Sequence, residues 1–118
     1  MLDAQTKRGV LEVCILAALR RGDSYGYELI RTLSACVTVS ESTLYPILRR
    51  LENAGSLSVY TVEHNSRLRK MYHLTEQGAA QITDFLESWQ EMQKMYDFIE
   101  GLHMGTVEDK FGFIEVAE

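Results

Sequence analysis

The chain has 118 residues, of which 46% are hydrophobic and 25% charged, the makeup of one ordinary globular domain that can bury a core without staples. This excludes disorder as the main state, and the longest apolar run, Val13–Leu19, falls far short of the roughly 18 residues that a membrane-spanning helix needs. The net charge of −5 argues at first sight against a polyanionic partner, but residues 75–118 alone hold ten acidic and two basic side chains, so the first two thirds can still approach one.

Met1–Gly9 lacks a signal-peptide layout, so a cytoplasmic location and no membrane partner are expected. Two cysteines make neither a disulfide framework nor a metal cluster. Cys14, among Val13, Ile15 and Leu16, reads as a small buried hydrophobe. Cys36 reads as packing or as a reactive thiol.

In chain order, Arg8–Leu19 reads as a helix apolar on most of its surface, hence buried on more than one side. Arg20-Arg21-Gly22-Asp23 stops it, and Asp23 or Ser24 can cap a second helix over about Ser24–Ala35. The β-branched Val37–Val39 stretch breaks that helix. A third starts at Ser40 or Ser42, and its Leu44, Ile47, Leu48 and Leu51 follow the i, i+3, i+4, i+7 pattern of one buried face. Pro46 must then lie in its first two turns, and Gly55 marks its end. Leu57–Val62 and Leu68–Leu74 are β-rich runs joined by Glu63–Arg67, a hairpin pattern. Thr75 caps a long last helix with apolar positions Ile82, Phe85, Leu86, Trp89, Met92, Tyr96 and Ile99, a partner-helix seam as much as a core face.

Three helices, a hairpin and a long helix describe a mainly α fold with a small β-hairpin. This is a winged helix–turn–helix with a long C-terminal dimerisation helix. The expected divisions are residues 1–74 for DNA binding, 75–101 for dimerisation and 102–118 for an acidic and apolar tail.

The outer face of the third helix carries Ser42, Thr43, Tyr45, Arg49 and Arg50, with Ser40 at its start. Short hydroxyls near a helix N-terminus can meet base edges or phosphates, and the arginines suit backbone contacts. Taken alone, this helix reads equally as a solvated amphipathic one. Arg67, Arg69 and Lys70 cluster at the wing, with Arg67 and Arg69 on one side and Lys70 on the other. Such residues also serve merely to block edge pairing, but beside an amphipathic third helix they favour phosphate contact.

The segments Gly26-Tyr27-Glu28-Leu29, Thr43-Leu44-Tyr45-Pro46 followed by Arg49-Arg50-Leu51-Glu52, and Leu74-Thr75-Glu76-x-Gly78 resemble the PadR family of bacterial transcriptional regulators, in its short form. The resemblance spans about residues 7–100 and implies a homodimeric repressor of double-stranded DNA whose last helix packs on the partner's N-terminal helix. The expected interface residues are Leu11, Ile15, Ile82, Phe85, Leu86, Trp89 and Ile99. The lone Trp89 also resembles the tryptophan with which a multidrug-sensing member of the family stacks on flat drugs at the dimer centre. With Met92 and Tyr96 it would suit a planar hydrophobic or cationic effector, or equally plain interface packing.

Catalysis is not expected. His64, His73 and His103 lie far apart, and no nucleophile–base pair, phosphate loop or metal spacing is present, so neither a cofactor nor a metal is implied. The rival reading is a winged-helix dimer that acts as a protein-interaction module without DNA.

Overall fold

A computed structural model describes residues 3–105. Among these residues lie α1 (Ala4–Leu19), α2 (Gly26–Leu33), α3 (Glu41–Asn53), the antiparallel strands β1 (Leu57–His64) and β2 (Arg67–Leu74), and α4 (Glu76–Met104). The chain is therefore mainly helical with one two-stranded hairpin, as its patterning implied. No described helix is long and apolar enough to cross a membrane.

α1 begins four residues before the expected Arg8 because Asp3 caps it. The Asp3 carboxylate accepts from the Thr6 amide at 2.7 Å, and that bond holds the carboxyl below the usual range. Within the chain only Ile15, Leu16 and Leu19 of this helix are buried, while Leu11 and Cys14 pack against the core from its margin.

α2 is shorter than its pattern suggested. Ser24, one of the two expected caps, is drawn instead into a backbone bridge with Tyr72 (Ser24 N to Tyr72 O, 3.2 Å; Tyr72 N to Ser24 O, 2.8 Å). That bridge extends the hairpin by one residue at the edge of β2 and delays the helix to Gly26. Asp23, the other expected cap, accepts from Tyr60 Oη at 2.5 Å and pairs with His73 Nδ1 at 2.8 Å. The Tyr60 bond above all, then His73, holds its carboxyl low.

α3 follows its sequence closely. Ser40 Oγ accepts from the Thr43 amide, and Leu44, Ile47, Leu48 and Leu51 are buried. Pro46 stands in the second turn. The helix ends in a Schellman motif: Gly55, at φ +85°, donates to Glu52 O, and Ser56 donates to Leu51 O at 2.9 Å.

The hairpin is tighter than the expected five-residue connection. His64 pairs with Arg67 across a two-residue turn, Asn65-Ser66, with φ of 53° and 64°. Both residues lie in the left-handed region, as a type I′ turn requires. The register puts Leu57, Val59, Tyr72 and Leu74 on the core face.

Thr75 caps α4, its Oγ1 accepting from the Gly78 amide at 3.0 Å. The helix runs to Met104, three residues past the expected end, and Gly105 follows it with φ +79°. The greater part of the expected tail, residues 106–118, lies outside the described residues. By compactness the chain forms one unit that closes at Thr83 and a second that begins at Asp84. The core of the first unit gathers α1, α2, α3 and the hairpin around Ile15, Leu16, Leu29, Leu44, Leu48 and Leu57.

Candidate nucleic-acid interface

The inward run of α3 fixes what it turns outward. With Leu44, Ile47, Leu48 and Leu51 committed to the core, Ser42, Tyr45 and Arg49 are exposed. Ser40, Ser42 and Thr43 form a hydroxyl cluster at the N-terminus: Ser40 Oγ lies 3.0 Å from Ser42 Oγ and donates to Thr43 Oγ1 at 3.2 Å. Four α-helical amides lack intrahelical partners at such an end, so the cluster sits where anionic oxygens are favoured.

Tyr45 is 37% exposed. Its phenol lies against the backbone of Gly26, where any Cβ would collide with it. A larger first residue of α2 would therefore have to displace the tip of the Tyr45 ring. Beside Tyr45 opens a groove of about 620 Å³ between the start of α2, α3 and the hairpin tip. Tyr25, Tyr27, Tyr72, Arg67, Arg69 and Lys70 line it. The structure thus brings three of the expected wing cations to one groove with Tyr45.

Arg69 is held. Its guanidinium stacks over the Tyr25 ring at 3.8 Å from the centroid, a cation–π contact that fixes the side chain. The register places Arg67 and Arg69 on one face and Lys70 on the other, as alternation implied. The buried Tyr72 phenol is pushed up mainly by desolvation, and Tyr45, Glu52 and Arg49 are near enough to act on it.

Arg50 is exposed like Arg49 but, unlike it, is tied to another helix. It reaches back to α1, and its Nε and Nη2 both contact Glu12 Oε2 at 2.9 Å. Spacing within α3 could not reveal a partner 38 residues earlier. Tyr25 and Gly26 were likewise missed as site residues. The signals for them were the Tyr25-Gly26-Tyr27 triplet at the start of α2 and the family segment that begins at Gly26.

Among the expected interface residues, Ile15 is a correction. It is fully buried in the core of its own unit, so it has no surface to offer a partner. Leu11 and Ile82 are partly buried against that core. In the second unit Phe85 is half-buried and stacks on Trp89, the rings 5.9 Å apart and 15° from parallel. Leu86, Trp89, Met92, Tyr96 and Ile99 are exposed, and a hollow of about 210 Å³ lies along Trp89, Met92, Gln93 and Tyr96. One turn of helix separates successive members of this set, so they share a face.

Comparison with known proteins bears on the family and the fold. Residues 15–84 match the transcriptional regulator PadR-like family. An uncharacterised protein of Lysinibacillus sphaericus is 31% identical over 108 residues, which cover 86% of this chain and 99% of that one. The crystal structure of a PadR-like transcription factor from Bacteroides fragilis superposes with a TM-score of 0.74 at 36% identity, covering 81% of this chain and 95% of the other. Bacillus subtilis PadR, solved in complex with operator DNA, gives a TM-score of 0.60 at 29% identity over 65% of this chain. The match spans only 47% of that longer protein. The chain belongs to the PadR-like family of transcriptional regulators.

Proposed function

We propose that the protein is a homodimeric, DNA-binding repressor that presents α3 to the major groove and the hairpin to the flanking backbone. The observation that carries this reading is the groove in which Tyr45 of α3 meets Arg67, Arg69 and Lys70 of the wing. In it, Ser42, Thr43 and Tyr45 meet base edges, with Ser40 holding the hydroxyl cluster. Arg49 and the wing cations meet phosphates, and Arg50 joins them through the N–H groups that Glu12 does not occupy. The similarity to a regulator solved on operator DNA supports it. Two-fold symmetry then sets the two α3 helices one DNA turn apart, roughly 34 Å.

Dimerisation uses the exposed apolar side of α4, namely Leu86, Trp89 and Ile99 with Phe85 and Ile82, together with Leu11. A contiguous face of this kind on a small chain marks an interaction surface. The hollow along Trp89, Met92 and Tyr96 receives a planar hydrophobic or cationic effector, which acts only by preferring one of two dimer arrangements. The proposed divisions are a DNA-binding part over residues 1–74 and a dimerisation part over residues 75–101.

Titration of a labelled duplex drawn from the DNA upstream of the protein's own gene tests the reading. Binding should be competed poorly by random DNA and fall steeply with salt. A dimer that binds no duplex at low salt would favour the protein-interaction alternative.

A further inference from the structure

The end of α3 is completed by another element. After the Schellman turn, three consecutive carbonyls, those of Ala54, Gly55 and Ser56, point away from α3. All three are met by the start of α4. Gln77 Nε2 donates to Ala54 O at 2.8 Å, Thr75 Oγ1 donates to Gly55 O at 2.7 Å, and the Thr75 amide donates to Ser56 O at 3.3 Å. Ser56 Oγ returns a bond to Gln81 Oε1 at 2.8 Å. Gly78 lies against the Ser56 carbonyl so closely that a Cβ there would overlap it.

The same Thr75 hydroxyl therefore serves both helices. It accepts from Gly78 N as the N-cap of α4 while it donates to Gly55 O in the turn that closes α3. One atom cannot hold both positions if the two helix ends move apart. Ser56 is only 2% exposed, so water cannot readily take over the bond to its carbonyl, whereas Gly55 is half-buried and Ala54 exposed.

We propose that the first turn of α4 is a positioning clamp for α3, with Thr75 and Gln77 as its positioning residues. The clamp rests on the reading of α3 as the DNA-reading helix. It sets the angle at which α3 leaves the core, and any shift at the start of α4 arrives at α3 without slack. Neither residue touches DNA in this account; both act through α3.

Gln77 is exposed and Thr75 half-buried, which gives two separable variants of the full chain. Gln77→Met keeps the size and removes only the bond to Ala54. Thr75→Val removes the shared hydroxyl, and Thr75→Ser restores it. Each is titrated with a duplex selected by the wild-type chain and with random duplex, at a temperature where circular dichroism shows it fully folded. Gln77→Met and Thr75→Val should each lower the ratio of selected to random affinity by about two- to tenfold, the range that one hydrogen bond can bias. The salt slope should stay unchanged, and Thr75→Ser should behave as wild type. Wild-type ratios in both variants overturn the clamp, as does an equal loss on both duplexes.

Amide hydrogen exchange supplies a readout free of DNA. In the wild type the last turn of α3 and the first turn of α4 should share one protection factor, which Thr75→Val and Gln77→Met split. Independent exchange in the wild type overturns the clamp. A wild type that binds no duplex yet shows shared exchange leaves the clamp standing and removes the DNA reading instead.

Discussion

Gly78→Ala is the sharpest test of the packing that holds this fold. In an exposed helix the change stabilises by about 0.5–1 kcal/mol, because alanine loses less backbone entropy. Here the new Cβ would overlap the Ser56 carbonyl oxygen and sit 2.7 Å from Leu74 Cδ1. A carbonyl cannot swing aside as a side chain can, so α4 must lift from the α3 turn. Forced overpacking of this sort costs about 1–3 kcal/mol. Lifting also stretches the bonds from Thr75 to Ser56 O and Gly55 O, worth about 1 kcal/mol each. Set against the propensity gain, the net loss is about 2–4 kcal/mol, a fall in Tm of roughly 10–20 °C for a domain of this size. Thermal unfolding followed by circular dichroism, at matched protein concentration because dimers gain stability by mass action, gives the number. Gly26→Ala is the control: its Cβ meets only the tip of the Tyr45 side chain, which can rotate away, so the Tm should drop far less. A Gly78→Ala variant as stable as wild type would refute the close approach of α4 to α3.

Further outcomes follow from the same geometry. Arg49→Ala should lower the salt slope of DNA binding by about one unit, read from affinity at several salt concentrations. Tyr25→Ala, which frees Arg69 without removing its charge, should weaken binding while leaving that slope nearly unchanged. Ser40→Ala should cost about 1 kcal/mol in urea unfolding, as the loss of an N-cap does. Asp23→Asn should matter at neutral pH and less in acid: the wild-type carboxyl is held low by Tyr60 and His73, so its contribution is present above the ordinary carboxylate range and fades as pH falls through the lowered value. Planar cationic dyes should quench Trp89 fluorescence at tens of micromolar, and Trp89→Ala should abolish any response of DNA binding to such a dye while sparing DNA binding itself.

How far the sequence could be read depended on whether the deciding interaction was local. α3 was legible because its cap, its apolar period and its glycine stop all lie within the sixteen residues from Ser40 to Gly55. α2 was misjudged at its start because Ser24, a sound cap by type, spends its backbone on Tyr72, 48 positions later. The wing turn was drawn too long because Asn65-Ser66 adopts two positive φ angles without the glycine that usually announces them. Ile15 could not be sorted from Leu11, since a helix apolar nearly all round does not say which side meets its own core. At the site, candidate residues could be chosen by type, but their partners within the chain were not visible. Arg50 and Arg69 could be chosen as cations; that Glu12 and Tyr25 hold them depends on the fold.

Those two partners bear on how an acidic protein can bind a polyanion. Of the five basic residues between positions 40 and 74, Arg49, Arg50, Arg67 and Lys70 are exposed and Arg69 is half-buried; Arg50 and Arg69 are also each braced within the chain. Bracing does not remove a guanidinium from use. Arginine carries five N–H donors, and a contact at Glu12 through Nε and Nη2 leaves donors of the same group for a phosphate. Stacking on Tyr25 occupies the plane of Arg69 and leaves its edge. A long side chain ordered on binding otherwise costs about 0.5–1.5 kcal/mol in lost rotamer freedom, and a side chain already fixed avoids most of that. Charge at a distance matters less, because ions screen exposed charges beyond about 8 Å at physiological salt. The net charge of −5 therefore lowers the rate at which DNA is approached more than it lowers the strength of the contacts that the two braced arginines can make.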